Sequence, residues 1–398
     1  MKHRIIVLGA GYTGALAAGR LARRLRTDDV HITLVNAEPD FVERIRLHQV
    51  AAGQDLKVRP LAEMFKGTGV EVRLAKVTAV DADRKTVAVI DAGGADELSY
   101  DTLVYALGSR SDDQGVPGAA EHAHEIASRP GALRLRERLA RLDSGATVTV
   151  VGGGLTGIEA AAEFAEARPD LKVALIARRG LGDWVSPKAQ RHLRKVFAGL
   201  GITVHEHTEV ARVESRAVVT ADGVAIPSAA TVWTTGFAVH TISAATTLAT
   251  TPSGRIKVDR EMASVSHPEV YVVGDAAFAI SDAGEPLRMS CASGIPTAWQ
   301  AADTIAARLT GGKAKNAPLK YNQQCVSLGR KEGLIQLVTP DDRAKNGMMR
   351  GRKAAIYKEL ICKGAAWGVA NPLFGLPVRR RAIAASDKPK GSTVQAHA

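Results

Sequence analysis

The sequence predicts an α/β fold made of two Rossmann-like dinucleotide-binding domains, one split in sequence and the other inserted into it, followed by a small basic α+β region. Three observations carry this reading. Short runs rich in Val, Ile and Leu alternate with longer amphipathic stretches, the pattern of parallel strands covered on both faces. A G-x-G-x-x-G turn joins strand to helix twice, at Gly9–Gly14 and Gly152–Gly157. Further apolar runs after the second unit return the chain to the first.

In chain order, Ile5–Leu8, Gly14–Arg26 and His31–Val35 read as strand, helix and strand, and Val148–Val151, Gly157–Glu166 and Val173–Ile176 repeat the series. Tyr100–Gly108 and Val270–Asp275 read as further strands, the latter with an acidic end, and Thr297–Leu309 as a helix. From Lys313 onward, Cys325–Leu328 and Leu334–Val338 are strand-like, and Lys353–Lys363 is helical. The composition of residues 385–398 is that of a disordered tail.

The first turn reads Gly9-Ala10-Gly11-Tyr12-Thr13-Gly14. One glycine makes the turn, one lets the backbone approach a pyrophosphate, and one allows close helix packing, while the helix N-terminus faces the anion. The end of the second strand, where an acid would meet ribose hydroxyls, carries Asn36 with Glu38 two residues on; either can serve. The second turn, Gly152-Gly153-Gly154-Leu155-Thr156-Gly157, implies a second dinucleotide. Its following strand ends in Ala177-Arg178-Arg179 rather than in an acid. Arginine offers charge-assisted hydrogen bonds to a 2′-phosphate where glutamate would repel it, which favours NADPH over NADH. Solvated surface charge is the alternative reading of Arg178 and Arg179.

Taken together, these motifs with Arg46-Leu47-His48-Gln49, Leu103–Gly108, Val232–Gly236, Val270–Asp275 and Ser327-Leu328-Gly329-Arg330 resemble the type II NADH dehydrogenases and related apoptosis-inducing-factor-like FAD-dependent oxidoreductases. The resemblance runs to about Val338. It implies an FAD domain over residues 1–113 and 251–312, an NAD(P)H domain over 114–250, and a C-terminal domain over 313–384. It also implies that Arg44, Gln49, Ala106, Gly108 and Gly236 belong to the cofactor sites, that Gly274-Asp275 contacts the flavin cofactor, and that Glu159 stands near the nicotinamide in a positioning role. Helix capping is the plainer reading of Asp275 and Glu159. Hydride would pass from nicotinamide to flavin, the cofactors carrying the chemistry.

The three cysteines, Cys291, Cys325 and Cys362, form no Cys-x-x-Cys pair, so neither a metal site, a disulfide framework nor a redox-active disulfide is expected, and the acceptor takes electrons from the flavin itself. Relatives imply a quinone. The Ala-x-x-Gln-type motif of quinone-reducing members finds only a poor counterpart before the last cofactor-domain helix, where Pro296, Trp299 and Gln300 are the candidate acceptor-pocket residues. A ferredoxin-like protein or a dedicated metabolite is the alternative acceptor.

Residues 313–398 hold 17 Lys and Arg against 5 Asp and Glu, whereas the preceding residues hold 36 of each sign, so the whole net charge of +12 sits at the C-terminal end. Such an asymmetry suits an anionic lipid surface, an acidic protein or a nucleic acid. Little aromatic interleaving disfavours nucleic acid. Ile356, Leu360 and Trp367 fall near one helical face with Lys353, Lys358 and Lys363 elsewhere, which suits either lipid-interface contact or packing on the chain's own domain. Asn371-Pro372 and Pro377 end that pattern. The N-terminus enters its first strand at once and no apolar run reaches the roughly 20 residues of a membrane span, so a cytoplasmic protein, peripheral at most to the inner membrane face, is expected. The resemblance further implies a homodimer.

Overall fold

A computed structural model describes residues 1–373 and 379–384; the tail expected at 385–398 and the stop expected at Pro377 lie outside the described residues. Two five-stranded parallel sheets organise the chain. The first runs Val270–Val272, Thr102–Tyr105, His3–Leu8, Val30–Asn36, Val70–Leu74, so its outer strand comes from far along the sequence. The second runs Thr203–His205, Lys172–Ile176, Thr147–Val151, Ala230–Trp233, Ala123–Glu125 and lies within the interval between the first sheet's strands.

Continuous apolarity has a direct structural cause. Ile5 and Val7 enter one core cluster while Ile6 and Leu8 enter another on the opposite face, so a polar residue anywhere in Ile5–Leu8 would be buried. On one face the helix Tyr12–Arg24 packs against Cys291–Leu309 through small residues, Ala15, Ala18 and Ala22 against Ala298, Ala301 and Ala302.

That last helix begins at Cys291, six residues before the expected start. Ser290 caps it by accepting from the Ser293 amide at 3.4 Å, and Pro296 is carried inside the helix. Proline reads as a boundary because it lacks an N–H, yet it forfeits only one bond, to the Ala292 carbonyl, and tertiary packing holds the rest. The expected strand ending at Asp275 stops at Val272, and Gly274–Ala276 forms a 3₁₀ turn.

The basic region forms an antiparallel sheet of Gln323–Ser327, Gly333–Val338 and Ala344–Arg350, followed by the helix Arg352–Ala370. The third strand went unforeseen because it is polar and largely exposed; so did the antiparallel strands Lys76–Asp81, Thr86–Asp91 and Gly94–Ser99. The helix runs seven residues past the expected end at Lys363. It buries Ala354, Cys362, Ala366 and Val369, whereas Ile356, Leu360 and Trp367 are 54%, 61% and 50% exposed. The apolar stripe is therefore turned outward, not packed on the chain's own domain. The expected separation of lysines from it also needs correcting: Lys353 and Lys363 are exposed, and at 3.6 residues per turn they flank the stripe, while Lys358 points inward. No helix among the described residues is long and apolar enough to cross a membrane.

Candidate active site

One cavity of about 960 Å³ joins the two sheets' helix-bearing ends to the basic region. Gly9, Gly11, Tyr12 and Thr13 line it from the first unit, Gly154, Leu155, Thr156 and Glu159 from the second, and Lys358, Cys362 and Ala365 from the C-terminal helix.

The glycine turns explain themselves atom by atom. Gly9 has φ +90° and lies so close to the next strand that a Cβ would meet the Ala106 carbonyl at 2.6 Å. A Cβ on Gly14 would overlap the Gly9 carbonyl, and one on Gly157 the Gly152 carbonyl, so both helices need a bare residue for their approach. Gly14, Gly152 and Gly157 thus act from behind the cavity wall. Gly11 and Gly154 differ: a Cβ there meets nothing within 4 Å, and each is the N-cap of a 13-residue helix with no side chain capping it. Two helix N-termini with unclaimed amides therefore open onto empty space within one cavity, the arrangement that takes two pyrophosphates. Tyr12, edge-on to Phe41 at 4.9 Å, offers a buried hydroxyl that no protein group satisfies. These residues fit a pair of dinucleotides.

Around the first turn, Asn36 accepts from the Ala10 amide at 2.9 Å and donates to the Glu38 carbonyl at 2.7 Å. Asn36 lines the cavity; Glu38 is exposed and outside its lining. Arg44 donates to Ser109 at 3.1 Å and lies 3.7 Å from Asp275, while Ser109 donates to Asp275 at 2.6 Å. Arg44, Ala106, Gly108, Gly236, Gly274 and Asp275 all line the cavity. Gln49 does not; it is buried behind it and accepts from Arg46 at 2.9 Å. Arg178 and Arg179 are exposed outside the cavity lining, with Arg179 3.9 Å from Asp183.

The expected acceptor residues are not where the cavity is. Gln300 is fully buried, donating to Thr304 at 3.1 Å and accepting from the Ala317 amide at 2.6 Å, so its amide is spent on holding the chain after the helix. Trp299 packs against the core, and Pro296 lies outside the lining. Because the helix starts at Cys291, its first turn, Cys291, Ala292 and Ile295, faces the cavity instead.

Three residues from distant parts of the chain complete this end. Cys291, Cys325 and Cys362 share the same lining, all as free thiols. Burial pushes the Cys291 and Cys325 thiols up to about 11 and raises Cys362 as well, so they keep their protons at neutral pH and are poor nucleophiles. Lys358 lies 3.1 Å from Glu159 and donates to the Cys325 carbonyl at 3.1 Å. Burial is the largest single influence and opposes its charge, but the attractions around it, Glu159 foremost, together leave its pKa raised. Glu159 also accepts from the Ser327 amide at 2.9 Å. His48, buried with Nε2 unpaired, is held down to about 4, chiefly by burial, against the pull of Glu159. Sequence reasoning missed Lys358 as a site residue. The signal was its place opposite the Ile356, Leu360 and Trp367 stripe, one turn from Cys362.

Two nucleotide sites opening into one chamber beside a buried acid–base pair define an oxidoreductase of the FAD- and NAD(P)H-dependent class. The chain belongs to the pyridine nucleotide-disulphide oxidoreductase family, whose pattern it matches over residues 3–305. It is 31% identical to an NADH dehydrogenase-like protein of Mycobacterium tuberculosis over 323 residues, 74% of this chain and 77% of that one. It is 26% identical to a type II NADH:quinone oxidoreductase of Staphylococcus epidermidis over 392 residues, 90% and 94% of the two chains. Among solved structures, the sulfide:quinone oxidoreductase of Aquifex aeolicus superposes with a TM-score of 0.77 at 21% identity, covering 94% of this chain and 92% of that one. NDH2 of Plasmodium falciparum with NADH gives 0.77 at 14% identity, covering 94% and 97%.

Proposed function

We propose that the chain is an NAD(P)H:quinone-type oxidoreductase in which residues 1–113 and 251–312 hold FAD, 114–250 hold the nicotinamide nucleotide, and 313–384 close the acceptor end. The observation that carries this reading is the single cavity shared by both glycine turns and by Lys358. When bound, the cofactors supply hydride transfer from nicotinamide to flavin. The chain's own residues do the rest. Gly11 and Gly154 admit the pyrophosphates to the helix amides, and Gly9, Gly14, Gly152 and Gly157 let the backbone close behind them. Asn36 serves the adenosine ribose in preference to the exposed Glu38. Asp275, fixed by Ser109 and Arg44, takes a flavin-side hydroxyl. Glu159 and Lys358 hold a buried ion pair at the end where the acceptor enters.

The neutral thiols give no disulfide relay, so electrons leave from the flavin. Relatives that are type II NADH:quinone oxidoreductases along nearly their whole length support a quinone as acceptor. Arg178 and Arg179, exposed beyond the second strand, favour NADPH. The outward Ile356, Leu360 and Trp367 stripe with Lys353 and Lys363 beside it gives a peripheral lipid contact that would place this mouth next to a membrane-dissolved acceptor. A ferredoxin-like acceptor is the second reading, favoured by the C-terminal charge and by likeness to a ferredoxin reductase of Rhodopseudomonas palustris, TM-score 0.70 at 25% identity, covering 85% of this chain and 83% of that one.

Anaerobic titration with NADPH and then NADH, followed by a soluble quinone, tests the proposal. Bleaching of the flavin colour and its return on adding quinone support it. Bleaching that only an iron–sulfur protein reverses selects the second reading, and no bleaching rejects both.

A further inference from the structure

His48 stands on the short helix Leu47–Ala51, lines the cavity and is 5% exposed, and its Nε2 has no hydrogen-bond partner. The charged groups around it are Glu159, Lys358, Arg330 and Arg46, and each of these is engaged elsewhere. Glu159 and Lys358 hold each other. Arg330 pairs with Glu359 at 2.9 Å. Arg46 pairs with the same carboxylate at 3.1 Å and donates to Gln49 at 2.9 Å. None of these contacts includes the imidazole. A buried ring nitrogen without a partner forfeits a hydrogen bond that water supplies to the unfolded chain, so the position calls for a ligand.

The cavity opens on the same side. Ile361 lines it at 42% exposure and follows Lys358 by three residues on the C-terminal helix, so one face of that helix carries both a mouth residue and the partner of Glu159. Gln323 and Cys325, both half-buried, line it from the first strand of the basic region, and the Cys325 carbonyl is the one that Lys358 reaches. A flat molecule entering past Ile361 therefore comes to the Glu159–Lys358 pair and to His48. The pair is already satisfied. Burial, helped by Lys358, Arg330 and Arg46 and opposed by Glu159, holds His48 down to about 4, so at neutral pH it is an uncharged imidazole with one N–H.

We propose that His48 donates a hydrogen bond through Nε2–H to a carbonyl oxygen of the acceptor, and so orients a quinone-type ring in this cavity. The inference rests on the quinone reading above. His48 keeps its proton throughout, and no covalent bond forms or breaks at it. An uncharged donor suits an uncharged carbonyl, because pairing them buries no unbalanced charge. The contact also sorts acceptors: a carbonyl compound small enough to enter uses it, whereas ferricyanide, which has no carbonyl, does not.

His48→Leu removes the donor and keeps bulk, while His48→Gln keeps a donor. Each holoenzyme is assayed with NAD(P)H and either a water-soluble quinone or ferricyanide. His48→Leu should raise the quinone KM by about fivefold to tenfold, the loss of one neutral hydrogen bond, and His48→Gln by less than about threefold. Ferricyanide reduction, and bleaching of the flavin by NAD(P)H, should stay within about twofold of wild type in both. The infrared carbonyl band of an isotope-labelled quinone bound to the wild-type holoenzyme should lie below that of the free quinone, and His48→Leu should return it. An unchanged quinone KM in His48→Leu, equal losses with both acceptors, or slowed bleaching, which would put the contact on flavin or nucleotide, overturns the proposal and leaves the quinone reading standing. So does an unshifted band in wild type, which needs no variant to fold. A wild-type enzyme that ferricyanide reoxidises and quinone does not overturns the quinone reading itself, and the His48 contact with it.

Discussion

Lys358 Nζ lies 3.1 Å from Glu159 Oε1, joining the C-terminal helix to the helix that opens the second nucleotide unit across a separation of nearly 200 residues. Both side chains are about nine-tenths buried or close to it, at 16% and 10% exposure. Removing one partner leaves an unpaired buried charge, which costs about 3–5 kcal/mol. Lys358→Met and Glu159→Gln should each lower the unfolding temperature strongly, and the double variant should be less destabilised than the sum of the two. Thermal denaturation of the four proteins checks this; additive losses would mean the pair is not coupled.

Gly11 and Gly14 stand three residues apart and should fail differently. Gly11→Ala places its methyl in open cavity, so the apoprotein should melt within about 0.5 kcal/mol of wild type while FAD is retained poorly. Gly14→Ala drives a methyl into the Gly9 carbonyl and should destabilise the chain itself. Flavin absorbance per protein, set beside the melting curve, separates the two outcomes.

Two buried groups tilt the pH dependence of stability in opposite senses. His48, held down to about 4 against an unfolded value near 6.5, binds fewer protons folded than unfolded, so its contribution is lost as pH falls from 6.5 towards 4. Glu163, raised to about 7 from an unfolded value near 4.5, binds more protons folded, so its contribution is lost as pH rises from 4.5 through 7. Each amounts to about 3 kcal/mol as an upper bound, and the windows overlap, so wild-type stability should be nearly flat between pH 4.5 and 6.5. Glu163→Gln should unmask a rise with pH across that interval and His48→Gln a fall. Denaturant unfolding at a series of pH values reads both slopes.

Arg178→Glu should shift preference from NADPH towards NADH by about tenfold or more, the equivalent of one lost charge-assisted hydrogen bond. Rates of anaerobic flavin reduction with each nucleotide give the ratio. An unchanged ratio would assign Arg178 to the solvated surface.

Leu360→Ser with Trp367→Ser should weaken sedimentation with anionic vesicles severalfold and leave ferricyanide reduction unaltered. Binding by wild type and variant alike would remove the outward stripe from the lipid contact.

The parallel sheets were legible because burial on both faces forces unbroken apolar runs, as at Ile5–Leu8, and the glycine turns because their steric demands leave no other residue. What the sequence concealed was long-range. Gln300 carried the right chemistry, yet whether its amide faces a cavity or the Ala317 backbone depends on a helix that begins before a proline. Lys358 looked like one more basic residue of a basic region; its inward direction follows from which stripe of Arg352–Ala370 meets the domain. The three cysteines were far apart in sequence, and only the packing of three separate elements puts them around one chamber.

The outer strand Val270–Val272 has a consequence for synthesis. Until the chain has been extended past residue 272, Thr102–Tyr105 stands as an open sheet edge, paired to His3–Leu8 on one side only, while the whole of the second sheet, complete at residue 233, is already free to form. The unit encoded in the middle of the message can thus mature before the one that starts it, and a ribosome stalled between those two points would display a sticky, half-built nucleotide site to its surroundings.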